Sequence, residues 1–256
     1  MAGQDNIGAW HVQQMRLTAF TPVSQADRAD SWWISAVGEP AETKTVRTKG
    51  AAQTLDGQWG KGRLVLNIDL GRTDWVAAAV TKVDEDLSEI PTLGAIDTVL
   101  DAFSSVTTKW LSDAPGITRL AWGAILVNIV ENRVDGYKTL QKYLPSLKVD
   151  PDGSSDLLYQ INRSRSSKVI EELNINRLQK WSVLALSQFN MQSVGAVPVV
   201  REARVQVSPA LFACRLELDM NSQADRPDPL PATKLLGLYS ELVALGKEIS
   251  LKGDVA

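Results

Sequence analysis

Cysteine and histidine are nearly missing from this chain of 256 residues: Cys214 and His11 are the only ones. A single cysteine excludes an internal disulfide, and one of each type cannot assemble a Cys/His zinc cage within one chain. A Ser–His–Asp triad would have to use His11, close to the start of the sequence. No apolar run approaches the roughly 18 residues needed to span a bilayer. The opening MAGQDNIGAW is polar, without the basic start and apolar core of a signal peptide. Together with the lone cysteine it reads as a cytoplasmic protein. An excess of one charge is also lacking. With 27 basic and 30 acidic residues the formal net charge is −3, so no global field holds a polyanion and any nucleic-acid contact must be local. Phosphate loops are absent as well, because GQWGKGR (57–63) has the glycines but not the Lys-Ser ending. No cofactor is implied.

What is present is an ordinary globular balance, 44% hydrophobic and 22% charged, long enough to bury a substantial core. Strand-like alternation runs from Trp10 to Phe20 and again over 63–70, where Leu64, Leu66, Ile68 and Leu70 share one side. Trp75 to Val80 continues as a hairpin partner, and residues 39–50 read as a surface loop or exposed strand. Between Ser24 and Gly38 lie helix start and stop signals. Apolar residues at 96, 99, 100, 103, 106, 110 and 111 have helical spacing. The run over 117–131 reads as a buried central strand, followed by a short helix to Pro145. Two strand-like pieces occupy 203–222, with a change of register near Cys214, and Leu235, Leu238, Leu242, Leu245 and Ile249 mark a last helix. Strands in adjacent pairs predict an α+β fold, a largely antiparallel sheet with helices packed mainly on one face. One domain over 1–256 is expected, with a soft boundary near 84–94, inside the acidic connection TKVDEDLSEIPTLG.

The segment GSSDLLYQINRSRSSKVIEELNINRLQKWSV, 153–183, is the most unusual. It repeats Ile-Asn-Arg at 161–163 and 175–177 and gathers Arg163, Arg165 and Lys168 among serines. The bland reading is two edges of a sheet joined by a basic, serine-rich connection. The functional readings are a protein-binding surface or a phosphate grip, with Tyr159 free to stack on a base and Arg177 and Lys180 extending the patch. Eight tryptophans are a generous supply, and Trp32 and Trp33, adjacent on a helix, cannot both face the same way. One of them is expected to lie partly exposed, and exposed aromatics mark binding surfaces. DPDGSSD (150–156) misses the spacing of a calcium loop, with Ile161 where the closing glutamate belongs, and reads as a turn. Asp69, Asp74, Glu217 and Asp219 on strand ends are candidate ligands for a catalytic metal, although no Glu-X-Lys accompanies them.

The stretch RLELDMNSQADRPDPLPATKLLGLYSELVALGKEI, with the central RLAWGAILVNIVENR, resembles pieces of a sporadically distributed bacterial family of single-domain α+β proteins of uncharacterised function. The resemblance covers about a quarter of the chain, carries no catalytic residues with it, and departs around SWWISAVGEP. A patchy distribution fits an accessory or defence cassette. These observations lead to the expectation of a non-enzymatic adaptor whose partner is another protein, touched through Trp32, Trp33, Tyr159, Arg163, Arg165, Lys168, Arg177 and Lys180. A nucleic-acid module on the 163–180 segment is the alternative. A metal-dependent hydrolase on Asp69, Glu217 and Asp219 is the third reading.

Overall fold

The computed structural model describes residues 10–47, 52–80, 89–186, 189–194, 202–207, 210–224 and 228–254. Most of the acidic connection and residues 84–88 of the soft boundary lie outside the described residues.

The alternating segments become strands. They are β1 (His11–Phe20), β2 (Thr43–Arg47), β3 (Ala52–Trp59), β4 (Gly62–Asp69), β5 (Arg72–Ala79), the two-residue β6 (Gly94–Ala95) and β7 (Arg119–Val130) in the first half. The second half adds β8 (Leu158–Ser166), β9 (Asn174–Leu186), β10 (Phe189–Val194), β11 (Glu202–Val207) and β12 (Leu211–Ser222). An open sheet runs β2-β3-β4-β5-β1-β7-β12-β9-β8, with β6 paired to β1 off that path. Its neighbours are antiparallel throughout. Strands before residue 84 (β2-β3-β4-β5-β1) and strands after residue 94 (β7-β12-β9-β8) are thus adjoining halves of one sheet, joined where β1 pairs with β7, while β10 and β11 pair with each other.

Four helices accompany the strands among the described residues: α1 (Ala29–Val37), α2 (Ile96–Asp113), α3 (Arg133–Tyr143) and α4 (Leu235–Lys252). Gly38, at φ 96°, ends α1, and the Asn132 side chain caps α3 by accepting from the Asp135 N–H. No described helix is long and apolar enough to cross a membrane.

Register explains the core. Leu66, Trp75, Leu17, Trp122, Met220 and Arg177 stand side by side across six strands. Trp33 of α1 stacks on Trp75 with ring centroids 5.9 Å apart. Trp32 meets Trp110 of α2 edge-on at 5.7 Å and donates its indole N–H to Asp113. Both adjacent tryptophans are therefore buried, because α1 is wedged between the sheet and α2, and the expected exposed indole is not found. Of the eight tryptophans only Trp59 is even half-buried, so their abundance serves packing. On α4, a Cβ at Gly246 would come within 2.2 Å of the Trp122 ring, so glycine lets helix and strand meet closely there.

Three expectations need correction. Leu70 lies past the end of β4, on the turn to β5, and is exposed rather than on the buried side with Leu64, Leu66 and Ile68. β12 keeps one register against both β7 and β9, so the pattern around Cys214 is not a shift. Ala213 and Cys214 are both buried because Ile90 covers Ala213 from the opposite side, and burial pushes the Cys214 thiol up to about 12. Arg163 and Arg165 belong to β8 itself rather than to the connection that follows, and of the strands β8 and β9 only β8 is an edge, since β9 lies between β12 and β8.

Candidate interaction surface between the β8 edge and α4

Odd-numbered residues of β8 face the same side as Arg177 and Trp181 of β9, their cross-strand partners: Arg163 stands opposite Arg177 and Tyr159 opposite Trp181. Two arginines directly opposed repel each other. The sequence near α4 resolves this. Asp254, just beyond the helix, accepts from Arg163 through both oxygens at 2.8 Å, from the Tyr159 hydroxyl at 2.7 Å and from Gln179 at 2.8 Å. Gln179 in turn accepts from the Trp181 indole. Glu248 takes Arg165 at 3.0 Å and lies 3.9 Å from buried Arg177, with Lys252 at 3.3 Å. About two turns earlier, Glu241 accepts from the Ser167 hydroxyl and the Lys168 backbone N–H. The basic segment and the acidic side of α4 form one clasp.

Gly253 makes the last link possible. Its φ is 80°, and a Cβ there would fall 2.0 Å from the Tyr143 carbonyl oxygen, the same oxygen that accepts the Asp254 N–H at 2.9 Å. The electrostatics follow the contacts. The Arg163 guanidinium holds the Asp254 carboxyl below the usual range against the opposing effect of burial, and Asp254 raises Arg163 in return. Burial opposes the charge on Glu248, but Lys252 and Arg165 hold its carboxyl lowered. Arg177 is lowered by burial and by its neighbour Arg165.

Between the outer flank of α4 and this clasp lies a groove of ≈ 790 Å³. Val169, Ala244 and Leu251 supply its apolar surface, and Leu251 is 65% exposed. Arg165, Lys168, Lys247 and Lys252 stand on it against only Glu241 and Glu248. The Lys168 ammonium makes no ion pair among the described residues.

The residues expected to act together are thus divided. Arg165 and Lys168 reach the groove, while Tyr159, Arg163 and Arg177 are spent inside the clasp. Lys180 points to the opposite face of the sheet and pairs with Glu217 at 3.2 Å. Trp32 and Trp33 lie in the core under α1. Asp254, Glu248 and Glu241 were not foreseen. Glu241 and Glu248, a heptad apart on α4, were a legible acidic stripe; Asp254 had no local signature.

The opposite face is polar. One register row runs from Thr45 on β2 through Asn67, Asp74, Thr18 and Asn221 to Ser164 on β8. Beside it is a shallow cavity of ≈ 320 Å³ over Arg16, Gly123, Lys180, Glu217 and Asp219. Its charges satisfy one another: Arg16 lies 3.7 Å from Asp219, and Arg215 lies 3.3 Å from Glu217. Asp69 is four strands away from β12, about 19 Å at ~4.8 Å per strand. It cannot share an ion with Glu217 and Asp219, so the hydrolase constellation does not converge. Among the described residues no group of three or more His, Cys, Asp or Glu is placed to hold a metal. The turn at 150–156 is as expected, closed by Ser154 N–H on the Asp150 carbonyl.

In comparisons with protein families, curated proteins and solved structures, nothing matches the chain.

Proposed function

We propose that the protein is a non-enzymatic adaptor that binds another protein through the groove between α4 and the β8 edge. The observation that carries this reading is an exposed leucine, Leu251, on an apolar floor with a basic rim. Exposed apolar surface rimmed by polar groups is the usual mark of a protein contact. The polyanion alternative loses its supports, because Arg163 and Arg177 are already committed to Asp254 and Glu248 and Lys180 faces away. In this reading the helices cover one face of the sheet. Trp33 on Trp75, Gly246 on Trp122 and the clasp on β8 support that arrangement, which leaves the polar face to solvent. The setting we propose is the bacterial cytoplasm, as an accessory of a multiprotein system; the sole cysteine, buried and with its thiol raised, suits a reducing compartment.

The test is affinity capture from the native host with the wild type, Leu251→Glu and Leu70→Glu. Leu70 is 74% exposed on the β4–β5 turn and serves as the control position. The reading predicts a stoichiometric protein retained by wild type and Leu70→Glu and lost with Leu251→Glu. Retention by all three, or capture of nuclease-sensitive nucleic acid in place of protein, contradicts it.

A further inference from the structure

In the cavity on the polar face the charges balance, but the hydrogen bonds do not. Arg16 and Lys180 line it with Glu217 and Asp219, two side chains of each sign. Gly123 of β7 stands between Arg16 of β1 and Asp219 of β12 in one register row. With no side chain on the middle strand, the Arg16 guanidinium lies across β7: a Cβ at Gly123 would meet its Nη2 at 3.6 Å and its Nε at 3.8 Å. Even so, Nη2 stops 3.7 Å from Asp219, too far for a hydrogen bond. Arg63, Arg72 and Arg163 each set Nε on a carboxylate at 2.7–2.8 Å. The Arg16 Nε is instead sealed from solvent and donates to no acceptor among the described residues. Buried donors are seldom left so, and each such case asks for a partner. On Asp219, Oδ1 accepts from the Asn221 amide at 3.1 Å, and Oδ2 is the oxygen turned to Arg16.

The stretched pair selects its ligand. An anion alone would sit against Asp219, and a cation alone against Arg16. A molecule with both charges on adjacent groups replaces both halves of the pair at once. Its carboxylate takes the planar Nε and Nη2 fork of Arg16, and its ammonium donates to Asp219. The interior of a protein chain carries neither group and a chain terminus carries one, whereas a free α-amino acid joins both at one carbon. Ile125 and Leu178 give the cavity apolar lining for a side chain, and Lys180, held by Glu217 at 3.2 Å, stands on the far side. The volume, ≈ 320 Å³, suits a small molecule, at the low end of the roughly 300–1,000 Å³ of such sites.

We propose that this cavity binds a free α-amino acid with an apolar side chain, its carboxylate on Arg16 and its ammonium on Asp219. The site lies on the face of the sheet opposite α4 and does not depend on the protein-binding reading above.

The test is saturation-transfer difference NMR on the full chain with free leucine, methionine and phenylalanine. Each is compared with its amide, which lacks the carboxylate, and its N-acetyl form, which lacks the ammonium. The protein is used as wild type, Arg16→Gln, Asp219→Asn and Leu251→Glu. Saturable binding of at least one free amino acid is expected with wild type and, equally, with Leu251→Glu. Removing either charge from the ligand, or its partner from the protein, should weaken binding about tenfold or more, the factor that one hydrogen bond to a charged group supplies. Should a variant fail to fold, the amide and N-acetyl forms on wild type carry the same information. No saturable binding below about 10 mM, or equal binding of the free and blocked forms, overturns the proposal. Binding that survives Arg16→Gln but is lost with Leu251→Glu also overturns it, since that places the ligand in the α4 groove.

Discussion

At the scale of the residue, Asp254 concentrates more of this structure than any other side chain. It is a carboxylate only 2% exposed, and it joins Arg163, Tyr159 and Gln179 at the point where the chain leaves α4. Replacing it with alanine strands the fully buried Gln179 amide without its acceptor, which costs about 1–3 kcal/mol. The sign of the pH dependence follows from its lowered folded pKa. Above the unfolded aspartate value of about 3.9 the carboxylate is charged in both states and its stabilisation is fully present. Below that value the unfolded chain binds more protons than the folded one, so stability falls as pH drops through the folded value. Urea unfolding of wild type and Asp254→Ala should therefore show a gap that narrows as the pH is lowered below about 4. A gap unchanged from about pH 7 to about pH 3 would count against this role for Asp254.

At the scale of the element, α4 does two jobs with two stripes. Leu235, Leu238, Leu242, Leu245 and Ile249 are buried against the sheet. Glu241 and Glu248 hold the basic segment. Surface ion pairs are commonly worth less than about 1 kcal/mol, but Glu248 also faces Arg177, whose guanidinium is buried. Glu248→Gln is thus predicted to destabilise the fold more than Asp97→Gln, which breaks only the exposed pair with Lys247. Thermal unfolding of the two variants gives the comparison, and equal midpoints would show that Arg177 does not depend on Glu248. The inward stripe was readable in the sequence from its spacing alone, as were α2 and the alternation of Leu64, Leu66 and Ile68 in β4. β3 was not, because AQTLDGQW offers one buried apolar side chain, Leu55, and leaves the space at Gly57 to the Trp33 ring. The clasp was illegible for a similar reason. Arg163 and Asp254 lie 91 positions apart, and nothing local marks either as the partner of the other.

At the scale of the whole molecule, the sheet's continuity sets what is available to a partner. Strands on both sides of the acidic connection join one sheet, which among the described residues presents two faces and two edges, β2 and β8. On the polar face Arg16, Lys180 and Arg215 are paired with Asp219 and Glu217. The β8 edge differs, because an exposed apolar side chain, Leu251, and the ammonium of Lys168, without an ion pair among the described residues, meet there at the end of the sheet. The expectation of a partner surface on the 163–180 segment narrows in the proposed reading to Arg165 and Lys168, joined by α4 residues that composition did not point to.

The central claim, that another protein occupies the α4 groove, is most directly tested by photocrosslinking in the native host. A photoreactive phenylalanine derivative replaces Leu251 in one strain and Leu70 in another. The account predicts a discrete protein adduct from position 251 that is missing from position 70. Adducts of equal yield from both positions, or a nuclease-sensitive adduct from position 251, would contradict it.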